Sequence, residues 1–75
     1  MDNFLAIKST LSITKDIIIG TNNTCIFWNN VIKKWVVTHV TLKYNLIEKE
    51  FEDYEIDDAV SEFLELMLYD RISYN

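Results

Sequence analysis

Hydrophobic and polar positions alternate near the start of the chain. Leu5, Ile7, Leu11 and Ile13 share one parity, while Lys8, Thr10 and Ser12 take the other. A period of two predicts a half-buried strand over residues 4–14. The same residues also admit a helix with Phe4, Ile7 and Leu11 inward. Ile17-Ile18-Ile19 is a short β-branched run closed by Gly20-Thr21-Asn22-Asn23, and Thr24 to Trp28 reads as a further strand. Asn29-Asn30 suits a two-residue hairpin loop, because both residues accept positive φ. Trp35 to Tyr44 is the clearest strand, and a turn near Asn45 leads into another over residues 46–54.

The period then changes. Ile56, Val60, Phe63, Leu64 and Met67 follow helical spacing, with Asp57 or Asp58 placed to cap the start. At 100° per residue the apolar arc from Leu66 through Phe63 and Val60 to Leu68 is about 200° wide, roughly twice what packing on a sheet requires. The surplus implies a second buried contact, such as a second copy of the chain. The expected fold is α+β: an antiparallel sheet of four to five strands with one C-terminal amphipathic helix packed on it, all in a single domain spanning residues 1–75.

Composition sharpens this picture. A chain of 75 residues buries only about 60% of its unfolded surface, so its stability depends on an efficient core or on association. Cys25 is the single cysteine, which excludes an intramolecular disulfide and argues against a structural zinc site. Ten aromatic residues, including Trp28 and Trp35, supply the bulk of such a core. Apolar runs of three or four residues are far too short to span a membrane. No signal peptide is apparent, so a cytoplasmic location is expected, in the host if the protein is viral. The abundance of Ile, Asn and Lys is what AT-rich bacterial and viral genomes produce.

Charge is divided along the chain. Residues 1–47 hold five Lys against two Asp, a net of +3, and residues 48–75 hold ten carboxylates against Lys49 and Arg71, a net of −8. Seven carboxylates fall between Glu48 and Asp58, interrupted by Phe51, Tyr54 and Ile56. In a strand, Glu48, Glu50 and Glu52 project from one face about 6.7 Å apart. On the helix, Asp58, Glu62 and Glu65 form a stripe opposite the core that Tyr69 continues, with neighbours about 5–6 Å apart.

Little in the sequence points to catalysis. His39 is the single histidine, and no orienting or oxyanion motif accompanies a Cys25–His39 pair. A phosphate loop, metal-ligand spacing and a nucleophile elbow are all absent. No enzyme activity, cofactor or metal is therefore expected. Trp28, Lys33, Lys34, Trp35, Lys43 and Tyr44 interleave bases with aromatics as single-strand binders do. The net charge of −5 opposes direct binding of nucleic acid.

Solubility alone accounts for many acidic surfaces. The sharper expectation is a non-enzymatic module that binds a basic protein, such as a nuclease or another nucleic-acid-handling enzyme, by imitating a phosphate backbone. Its contacts would be Glu48, Glu50, Glu52, Asp53, Glu55, Asp58, Glu62 and Glu65, with Tyr54 and Tyr69 as amphipathic anchors. The alternative is a homodimeric structural or assembly subunit joined through the wide helix face.

Overall fold

The computed structural model describes the backbone of residues 3–74 and the side chains of residues 3–68. Its elements run α1 (Asn3–Ile13), β1 (Ile18–Gly20), β2 (Thr24–Asn29), β3 (Lys34–Val40), β4 (Leu46–Phe51), a 3₁₀ turn (Asp53–Glu55) and α2 (Ile56–Tyr74). The four strands form an antiparallel meander in chain order, which makes β1 and β4 the edges. Ile26, Trp35 and Val37 share one sheet face by register. They are buried with Leu11 of α1 and with Ala59, Val60, Phe63 and Leu66 of α2. Both helices therefore cover the same face, and the fold is α+β with α2 packed on the sheet.

Of residues 4–14, all but Thr14 are helical, not a strand. The alternating set is split: Leu11 is fully buried, but Ile13 is 85% exposed. The inward stripe is Phe4, Ile7 and Leu11, the spacing of one helical face. The hydroxyls that disfavour helix are absorbed by back-bonding, as Thr10 Oγ1 donates to the Ala6 carbonyl at 2.9 Å and Ser12 Oγ to that of Lys8 at 2.7 Å. Helix α1 also packs against α2. It thereby supplies the second contact that the broad apolar arc of α2 requires.

The turns differ in detail from expectation. The loop between β2 and β3 comprises residues 30–33, and Lys33, with φ 59°, takes the left-handed conformation. Asn29 acts through its side chain: Oδ1 accepts from the Val31 N–H at 2.9 Å and the Ile32 N–H at 3.3 Å. Tyr44 is left-handed in the next turn, with φ 63°. At the β1–β2 turn, a Cβ on Gly20 would lie 2.5 Å from the Thr24 carbonyl oxygen. Only glycine allows the two strands to approach this closely.

Strand β4 ends at Phe51, short of the expected 46–54. The Glu52 N–H bonds to Oε1 of Glu55 at 2.8 Å, and the Glu55 N–H bonds to the Glu52 carbonyl at 2.8 Å. This reciprocal pair winds the 3₁₀ turn that leads into α2. Asp57 and Asp58 consequently sit in the first turn of α2 and do not cap it. There they favour the positive end of the helix dipole.

Candidate functional site

The acidic residues descend from three elements, so strand pleat and helix position decide where each one points. In β4, Glu48 lies opposite Thr38 and Glu50 opposite Val36. This places both on the sheet face away from the helices, beside Phe27 and Ile18. Ile47, Lys49 and Phe51 point to the other face, toward α2. Lys49 Nζ meets Glu62 Oε2 of α2 at 3.0 Å. The Glu48–Glu50 row and the helical stripe thus belong to opposite sides of the sheet, with Lys49 at their junction. Glu52 falls beyond the strand but stays beside Glu50, since one lysine, Lys34, approaches both.

The basic half of the chain folds back onto the acidic half. Lys34 Nζ stands 3.5 Å from Glu52 and 4.0 Å from Glu50. Lys15 pairs with Asp53 at 2.9 Å, and Lys8 with Asp57 at 2.8 Å. Glu55 is committed to the turn. Three of the candidate carboxylates, Glu48, Asp58 and Glu65, are exposed and form no ion pair with another described residue. Tyr54 is 85% exposed beside them in sequence. The Tyr69 side chain lies outside the described residues.

The corner where strand becomes helix is pinned by residues that the charge pattern does not reveal. Trp35 is 1% exposed and donates its indole N–H to the Asp53 carbonyl at 3.1 Å. Its ring meets Trp28 edge to face, 5.1 Å between centroids. Lys15 Nζ lies 3.7 Å from the Trp28 centroid while it holds the Asp53 carboxylate. A cleft of about 410 Å³ opens beside this group, lined by Lys15, Asp16, Ile17, Ile18, Phe27, Trp28 and Asn30. The two tryptophans that alternate with lysines in sequence are therefore engaged with each other, with Lys15 and with the core.

Register also separates Cys25 from His39. Thr24 pairs with His39, so Cys25, the next residue, projects from the opposite face. The Thr24 hydroxyl and His39 Nδ1 are hydrogen-bonded at 2.7 Å, and both residues are fully buried. Their contact satisfies two polar groups inside the core. Among the described residues, no group of three His, Cys, Asp or Glu is placed to hold a metal ion, and no helix is long and apolar enough to cross a membrane.

The free edge of β4 completes the surface. The Thr41 N–H bonds to the Asn45 carbonyl at 2.9 Å, which starts the β3–β4 ladder. Antiparallel pairing alternates from there. Backbone groups of Ile47, Lys49 and Phe51 turn toward β3, whereas those of Leu46, Glu48 and Glu50 turn outward. Leu46, Glu48 and Glu50 are all exposed. Comparison with family models, curated proteins and solved structures finds no match for this chain.

Proposed function

We propose that this protein is a non-enzymatic binding module that docks a basic protein partner against its acidic side. The observation that carries the reading is the set of carboxylates left over after folding. Four lysines are matched to acids, yet Glu48, Asp58 and Glu65 stay exposed without an ion-pair partner among the described residues. Unpaired like charges repel one another, and nothing in the core requires them. A cationic partner relieves that repulsion and is steered by it, which raises the association rate more than the final affinity.

The partner class that fits is a nucleic-acid-handling enzyme, for example a nuclease, whose phosphate-binding cations would meet these carboxylates. Bound there, the module would exclude the polynucleotide and act as a competitive antagonist, in the cytoplasm where such enzymes work. Glu48 and Glu50, on the open sheet face, would supply the contact charges, while Asp58 and Glu65, on the helix side, would add to the long-range attraction that steers the partner. Tyr54 would add apolar contact with a polar tip. The test is a panel of purified basic nucleases and polymerases assayed with and without the protein. Inhibition that competes with polynucleotide and fades as salt rises supports the reading. An unaffected panel removes it.

The alternative, a homodimer joined through α2, has less apolar area to use, because Phe4, Ile7 and Leu11 of α1 pack into the shared core; Leu68, at one end of the arc, stays 55% exposed.

A further inference from the structure

The acidic side contains an exposed sheet edge as well as charge, and the two are in register. The outward backbone groups of β4 belong to Leu46, Glu48 and Glu50. Their side chains all point to the sheet face that the helices leave open. We propose that β4 accepts an extended segment of the basic partner as an added antiparallel strand. This inference rests on the acidic docking reading and specifies its geometry.

Charge complementarity defines the occupant. In an antiparallel ladder, residues directly opposite one another share a face. The partner residues opposite Glu50 and Glu48 would therefore be Lys or Arg, two positions apart. Two positions further on, an apolar residue would meet Leu46. Read from its N-terminus, the segment is basic-x-basic-x-apolar. Its main chain bonds to Leu46, Glu48 and Glu50, and its basic side chains neutralise the row from above. Glu48 is the principal anchor, because Glu50 is already near Lys34 at 4.0 Å.

The same geometry disfavours a second copy on this edge. Two-fold pairing of β4 with itself about Glu48, Lys49 or Glu50 sets carboxylates of the row against those of the copy. Like charges directly opposite are destabilising, and charged edges are a common guard against self-association. Those registers are closed to a second copy, whereas a cationic strand meets attraction in the same places.

The test uses the full chain and a synthetic peptide with two lysines separated by one threonine, then a threonine and a leucine, flanked by threonines. Two derivatives carry backbone N-methyl groups, one on both lysines and the other on the intervening threonines. Methylated lysines keep their charge but cannot donate to β4. Methylated threonines lose only donors that face away from it. Amide exchange at Leu46, Glu48 and Glu50 is followed by NMR. The proposal expects at least tenfold slower exchange at these three amides with the parent peptide. It also expects at least tenfold weaker binding of the lysine-methylated peptide, little change for the threonine-methylated one, and at least tenfold weaker binding of the parent peptide to Glu48→Lys. Equal binding of all peptides with unchanged exchange would overturn strand addition and leave docking by charge intact. No binding of any peptide at low salt would overturn strand addition together with the docking reading beneath it.

Discussion

The indole of Trp35 donates to the main-chain carbonyl of Asp53 across 3.1 Å, and so ties the centre of the sheet to the acidic corner. Lys15 closes the arrangement by holding the Asp53 carboxylate while it lies over Trp28. The acidic segment is therefore built onto the core. Trp35→Phe deletes the donor and shrinks a fully buried indole to a phenyl ring. It is expected to cost about 2–4 kcal/mol, the sum of an unpaired carbonyl and the space left in the core. Urea unfolding measures this, with the slope unchanged and the midpoint lowered.

Leu11 and Ile13 have the same parity but opposite fates. Leu11→Ala is expected to lose about 2–5 kcal/mol. Ile13→Ala falls within about 0.5 kcal/mol, as surface changes do. Similar losses at both positions in thermal or urea unfolding would contradict the helical placement of α1.

Gly20 is set by space. Gly20→Ala places a methyl group 2.5 Å from the Thr24 carbonyl oxygen, so one strand must shift. The expected loss is about 1–3 kcal/mol, read as a lower melting temperature. A neutral substitution would mean that the β1–β2 turn is wider than described.

Carboxylates with structural duties should separate from those without them. Asp53→Lys sets a cation beside Lys15 and should lower stability measurably. Glu48→Lys and Glu65→Lys touch no described ion pair and should leave the unfolding free energy from urea titration within about 0.5 kcal/mol of the parent. If Glu48→Lys destabilises as much as Asp53→Lys, the assignment of Glu48 to the free surface is wrong.

The sheet and α2 were legible in sequence for a physical reason. The β-branched run of β3 and the i, i+3, i+4 pattern beginning at Ile56 are each produced by one buried face. Residues 4–14 were ambiguous because Ile7 and Leu11 satisfy both periods, and only packing against α2 resolves them. The two-residue loop at Asn29-Asn30 failed because the Asn29 side chain caps the turn and shifts the left-handed position to Lys33. The pairing of the acidic run was not legible, because the lysines that meet it are distant in the chain. Folding brings Lys8, Lys15 and Lys34 from the distant basic half to Asp57, Asp53, Glu50 and Glu52. It also divides the remaining acids between two sides of the sheet. The edge position of β4 depends on strand order, which the chain pattern alone does not specify.

The acidic side is tested most directly by the association rate of the tightest-binding basic enzyme in the panel. It is measured with the parent and with a Glu48→Lys/Asp58→Lys/Glu65→Lys variant whose fold is verified by circular dichroism. Between about 0.05 and 0.3 M salt, screening shortens the reach of exposed charges severalfold relative to dilute buffer. The account predicts a parent rate that falls steeply over this range. The variant should associate at least tenfold more slowly at the low end, and the two rates should converge as salt rises. Equal rates for parent and variant at every salt concentration would contradict it.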